Sequence, residues 1–147
     1  MLALEPGAVE SMIRTLGLFR TKAKHVLATC RILQEKYAGE VPSRREALEA
    51  LPGVGRKTAN VVLGNAFGIN EGIVVDTHVA RLSERLKLSA SRSPEGIEED
   101  LQQLVPNPHW TQFSHWLIWH GRRRCRARNP DCAACEIRSE CPSKDSF

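Results

Sequence analysis

Apolar residues recur at helical spacing along almost the whole chain, and nowhere do they alternate with polar ones long enough to specify a strand. That pattern confines the chain to an all-α fold. Pro6 is placed to open a first helix with Val9, Met12, Ile13 and Leu16 on one face, stopped by Gly17. Thr21 is placed to cap a second helix, whose Ala23, Val26, Leu27, Cys30, Leu33 and Tyr37 make a core stripe that ends at Gly39. Ser43 and Glu46 have capping-box spacing before a short helix over roughly 44–51, and Pro52 to Gly55 reads as a tight turn. A helix over 56–67 should point Ala59, Val62, Leu63 and Ala66 inward. Asp76 is an N-cap for a helix burying Val79, Leu82 and Leu86. Ser93-Pro94 opens another, with Ile97, Leu101, Leu104 and Val105 inward. A helix near 109–121 follows the break at Pro106 to Pro108, with Trp110, Trp116 and Trp119 expected in the core. Beyond Cys125 the chain should be irregular, with one helical turn near 133–137.

The chain has 147 residues, enough for one domain or two small ones with a core that needs no disulfide staples. Hydrophobic residues at 41% and charged residues at 26% exclude wholesale disorder. The net charge of +4 permits a polyanionic partner. No apolar run approaches the ~20 residues of a membrane span. The first 20 residues lack a basic n-region and carry Glu5 and Glu10, so they do not read as a secretory signal. Of five cysteines, four fall between Cys125 and Cys141, which suits a ligand cluster in a reducing, intracellular setting better than a disulfide framework.

Three constellations carry chemistry. In Leu51-Pro52-Gly53-Val54-Gly55-Arg56-Lys57-Thr58-Ala59, two glycines one residue apart join a short helix to a longer one. The amides of Gly53, Val54 and Gly55 then sit at a helix N-terminus, where unpaired N–H groups and the helix dipole favour phosphate. This is the helix-hairpin-helix pattern, and Arg56 beside it adds positive charge.

Lys57 falls in the first turn of the following helix, where the dipole disfavours an ammonium and favours a nucleophilic amine. A lysine that merely grips phosphate is the alternative. Asp76 is either an ordinary N-cap or a fixed negative charge serving chemistry. His78 reads as a packing or hydrogen-bonding residue.

Cys125, Cys132, Cys135 and Cys141 have the spacing C-x6-C-x2-C-x5-C. Only one close pair occurs, where structural zinc usually has two, so both an iron–sulfur cluster and zinc remain open from spacing. Arg122, Arg123, Arg124, Arg126 and Arg128 crowd this segment without an acid among them, either to balance thiolates or to face phosphate.

Taken together, the hairpin with Lys57, the Val75-Asp76-Thr77-His78 segment, His115-Trp116-Leu117-Ile118, His120-Gly121-Arg122 and the cysteine spacing resemble the endonuclease III family of DNA glycosylases. The resemblance runs from about Leu16 to Cys141 and includes Gly17-Leu18-Phe19 and Glu40-Val41-Pro42. It implies a helix-hairpin-helix DNA glycosylase fold with a C-terminal [4Fe–4S] cluster loop. The helix-hairpin-helix domain would be 1–106, incomplete on its N-terminal side because family members carry further helices there, and the cluster domain 107–147.

The same resemblance implies a bifunctional glycosylase/lyase that removes oxidised pyrimidines and nicks the abasic site by β-elimination. Its partner would be duplex DNA with damaged bases or abasic sites, bound by a monomer in the cytoplasm, at the nucleoid in a bacterium, with no membrane partner. Lys57 matches the family's nucleophile and Asp76 its essential carboxylate; the four cysteines match the cluster ligands. Leu18 matches an apolar wedge that enters the duplex, and Arg126 and Arg128 lie in a loop matching one that contacts DNA. Adenine- and mismatched-thymine-directed relatives resemble a pattern without lysine at position 57. A non-catalytic DNA-binding fragment with a structural metal is the reading from another class.

Overall fold

The computed structural model describes Leu4, residues 6–144 and Ser146. Among the described residues the regular elements are all helical: α1 Pro6–Met12, α2 Phe19–Tyr37, α3 Arg45–Glu49, α4 Arg56–Phe67, α5 Thr77–Arg85, α6 Pro94–Leu104, a 3-10 turn Asn107–His109, and α7 Trp110–Arg123. Two compact units are present, Met1–Ala59 and Asn60–Phe147. No helix of the described residues is long and apolar enough to cross a membrane.

In the first unit α1 packs on α2. Val9, Ala23, Ala47, Leu48 and Leu51 are buried, while Met12 and Leu16, expected beside Val9, are exposed. The helix stops at Met12, so residues beyond it leave the stripe. Thr21 caps nothing: α2 begins two residues earlier, from a left-handed Leu18 whose carbonyl accepts from the Lys22 amide at 3.0 Å. At its other end Ala38 and Gly39 are both left-handed (φ 53° and 86°), which stops the helix at Tyr37, two residues before the predicted glycine. The capping box at Ser43 does not form; Arg44 precedes α3 without a side-chain cap.

The second unit is built around Ile73, Val79, Leu82, Ile97, Leu101 and Leu117, contributed by α5, α6, α7 and the loop before α5. Each such buried side chain contributes about 1.5–3 kcal/mol relative to exposure. Asp76 caps α5, accepting from His78 N and Val79 N, and Ser93 caps α6, accepting from Gly96 N, with Pro94 in its first turn. Both caps lie where local chemistry places them.

Helix α7 packs on α5 and buries Ser114, Leu117 and Gly121, one face at i, i+3, i+7 spacing. Trp116 and Trp119 therefore fall on the opposite face. They are 55% and 54% exposed, contrary to the core expectation, and the Arg123 guanidinium lies 4.1 Å above the Trp119 ring. Trp110 behaves as expected, packed at the core edge with Nε1 donating to the Val105 carbonyl at 2.8 Å. Inside the unit, the buried Glu98 carboxylate accepts from Asn60 Nδ2 at 3.1 Å. No helical turn forms near 133–137; the segment runs as successive turns.

Candidate DNA-facing hairpin and cysteine centre

The hairpin is set by one backbone conformation and one close approach. Gly53 has φ +77°, and a Cβ there would lie 2.5 Å from His25 Nδ1 on α2. The turn is tied down further by Thr29 Oγ1 donating to the Pro52 carbonyl at 3.1 Å. Val54 N donates to the Leu51 carbonyl at 3.1 Å, so this amide closes the turn and does not face outward. That corrects the expectation of three available amides: those of Gly53 and Gly55 remain, followed by the first turn of α4, whose N–H groups have no intrahelical partner. Gly53, Gly55, Arg56 and Lys57 are exposed and Val54 is half-buried.

Gly53→Ala should destabilise the chain by at least about 1–2 kcal/mol from the left-handed backbone alone, before the clash with His25. Gly55→Ala has open space and no positive φ, and should stay within about 0.5 kcal/mol of the parent when both variants are unfolded in urea.

Leu18 is left-handed at φ 56° and 79% exposed. A leucine held in this region costs about 1–2 kcal/mol. The strain sits on the most exposed large apolar side chain among the described residues.

In the second unit Asp76 is half-buried, and its Oδ1 accepts both capping bonds, at 2.8 and 2.9 Å. His78 Nδ1 lies 3.0 Å from Arg81 Nη2. Arginine only donates, so Nδ1 accepts. Arg81 also donates to the carbonyls of Gly121 at 2.9 Å and Cys125 at 3.0 Å. A Cβ on Gly121 would lie 3.0 Å from both Arg81 Nη2 and His78 Nδ1, so glycine is what lets this network close against α7.

All four predicted cysteines line one small cavity of about 20 Å³. None of them is in a disulfide, and all are half-buried. Arg85 Nη1 donates to Cys125 Sγ at 3.2 Å, and His120 Nε2 lies 3.6 Å from Cys135 Sγ. Four cysteine sulfurs lining one cavity, with an arginine donating to one of them, fit a metal centre. His120, Cys135 and Glu136 also offer three ligand atoms within 4.8 Å of one another. Glu136 of that trio is already engaged by Arg124, whose Nε donates to its Oε1 at 3.0 Å while its Nη1 pairs with Asp131 at 3.0 Å. The Glu136 carboxyl is held below its usual range by its own backbone amide first and by the Arg124 guanidinium next. Burial pushes the His120 imidazole down, and its hydrogen bond to Glu136 pushes the Arg124 guanidinium up.

The arginine run therefore divides. Arg124 is committed to acids within the cysteine segment and Arg123 to an indole, while Arg122, Arg126 and Arg128 are exposed. Asn129, left-handed at φ 49°, turns the loop just after Arg128. Sequence reasoning missed Arg81 and Arg85, which reach the Cys125 region from 40–44 residues away with no local signal.

Comparison with known proteins agrees with this architecture. The HhH-GPD superfamily base excision DNA repair protein family matches residues 1–107. An endonuclease III of Synechocystis is 52% identical over 135 residues, 92% of this chain and 62% of the relative. That of Escherichia coli K12 is 48% identical over 145 residues, 99% of this chain and 68% of the relative. A solved trapped endonuclease III–DNA covalent intermediate, an estranged-adenine complex, superposes with a TM-score of 0.90 at 40% identity, covering 99% of this chain and 68% of that one. The chain thus spans 62% to 68% of the length of these relatives. The family match over residues 1–107 and these identities show that the chain belongs to the HhH-GPD superfamily of base excision DNA repair proteins, in its endonuclease III family.

Proposed function

We propose that the chain carries the catalytic part of a bifunctional DNA glycosylase/lyase of base excision repair, acting on oxidised pyrimidines in duplex DNA. The observation that carries this reading is the hairpin: an exposed lysine stands in the first turn of α4, directly after exposed Gly53 and Gly55. The hairpin amides and Arg56 grip phosphate, which brings the sugar to Lys57. The strained, exposed Leu18 enters the duplex beside the extruded nucleotide, offsetting part of an unstacking cost of a few kcal/mol.

The Lys57 amine attacks C1′ as the C1′–N bond to the base breaks, and the base leaves with the bonding pair and takes up the proton that the new C1′–nitrogen bond displaces from the amine. Asp76 faces the positive charge that develops on the sugar. The C1′–O4′ bond then breaks, O4′ taking the proton that the lysine nitrogen gives up, which leaves an imine; the imine acidifies the 2′ hydrogen, and loss of that hydrogen to a base expels the 3′ phosphate and cuts the strand.

Cys125, Cys132, Cys135 and Cys141 would hold a [4Fe–4S] cluster. When bound, the cluster organises the irregular C-terminal segment and with it the loop that presents Arg126 and Arg128. No redox step belongs to the reaction. We place the helix-hairpin-helix part at 1–106 and the cluster part at 107–147, acting as a monomer in the cytoplasm at the DNA.

Borohydride trapping on a duplex with one abasic site tests the activity. A covalent adduct is expected; specific binding with no adduct at any enzyme excess would make the chain a non-catalytic helix-hairpin-helix fragment instead. Arg126→Ala and Arg128→Ala should each flatten the salt dependence of duplex affinity by about one unit of slope if each neutralises one phosphate. Slopes equal to the parent's in both variants would assign these arginines to the cysteine segment.

A further inference from the structure

The cysteine cavity draws a cation from α5, outside the arginine-rich stretch around it. Arg85 is the last residue of α5, half-buried, and lines the cavity. Its Nη1 donates to Cys125 Sγ at 3.2 Å and to the Arg126 carbonyl at 2.8 Å, and its Nη2 donates to the Ala127 carbonyl at 3.1 Å. Its own carbonyl accepts from Ser143 Oγ at 2.7 Å. One residue thus holds both ends of the cysteine segment, at Cys125–Ala127 and just beyond Cys141. The fork is fixed by two carbonyls, so the N–H aimed at sulfur is held in place at little further entropic cost.

We propose that Arg85 is a positioning residue of the metal centre: its guanidinium fixes the Cys125 thiolate, raises the reduction potential of the [4Fe–4S] cluster and slows the cluster's release. The proposal rests on the cluster reading above. A cationic donor draws charge from a ligating thiolate and favours the more negative, reduced state, and hydrogen bonds to sulfur are a recognised control of cluster potential. Residues that hold metal ligands from behind typically change metal affinity 10–100-fold when replaced. Arg122, Arg126 and Arg128 are exposed and Arg124 is engaged by Asp131 and Glu136; none of them is recorded donating to a cysteine sulfur, as Arg85 is.

The test uses the whole chain, purified anaerobically, with iron and acid-labile sulfide counted, release of iron to a chelator timed, and the midpoint potential read by voltammetry. The parent should hold about four irons per chain. Arg85→Gln should release iron at least about tenfold faster and show a more negative potential. Arg85→Lys keeps the charge but cannot fork, and should release iron at an intermediate rate. Ser143→Ala removes the other tie without touching sulfur; it should speed release while leaving the potential at the parent value.

A loaded Arg85→Gln with the parent's potential and release rate overturns the proposal. If Arg85→Gln does not load, Arg85→Lys decides, and release at the parent rate overturns it. A parent that carries stoichiometric zinc and no iron overturns the cluster reading itself, an outcome distinct from a loaded parent with indifferent variants.

Discussion

Lys57→Gln is expected to reduce borohydride trapping and strand cleavage to background while leaving duplex affinity within about tenfold, or 1.4 kcal/mol, of the parent. The amide keeps much of the side chain's length but cannot form an imine. The hairpin that grips phosphate is made by backbone at Gly53 and Gly55 and is not altered by the change. Folding should not suffer either. Lys57 is exposed in the first turn of α4, where removing a positive charge relieves an unfavourable dipole interaction of about 0.3–1 kcal/mol. Cleavage at the parent rate would remove Lys57 from the chemistry and return it to the phosphate-gripping alternative. Loss of cleavage together with loss of binding would point to that alternative as well.

Asp76→Asn should separate a cap from a charge. Both capping bonds fall on Oδ1, and asparagine retains that oxygen with nearly equal capping strength, so thermal stability should change by no more than a few tenths of a kcal/mol. If the carboxylate stabilises a cationic sugar, single-turnover base excision should fall by about 100–1,000-fold, the usual size of losing one preorganised electrostatic partner. Opening a preformed abasic site should suffer less, because no base has to leave. A variant with a lowered melting point and near-normal excision would assign Asp76 to α5 alone.

The features legible in the sequence were those whose physics is local. Asp76 and Ser93 cap their helices as expected, because an N-cap bond links residues two or three apart and needs nothing else in place. The same holds for α4 starting at Arg56 after the two glycines, and for the break at Pro106 to Pro108. The cysteine spacing identified four thiols that do line one cavity.

Equally local signals at Thr21 and Ser43 came to nothing. A left-handed Leu18 starts α2 early, and Arg44, extended and uncapped, starts α3. Which face of a helix is buried is a property of a pair of elements. Helix α7 has apolar residues on more than one side, and burial of the Ser114, Leu117 and Gly121 face is what left Trp116 and Trp119 outside. The split of the arginine run, with Arg124 turned to Asp131 and Glu136, needed side-chain geometry that no spacing encodes. Arg81 and Arg85 reached the Cys125 loop only because α5 packs against α7, bringing together residues 40–44 positions apart. The sequence alone determined which residues could do chemistry and where helices could start; tertiary packing decided which side chains meet, because burial and long-range hydrogen bonds exist only between elements already folded against each other.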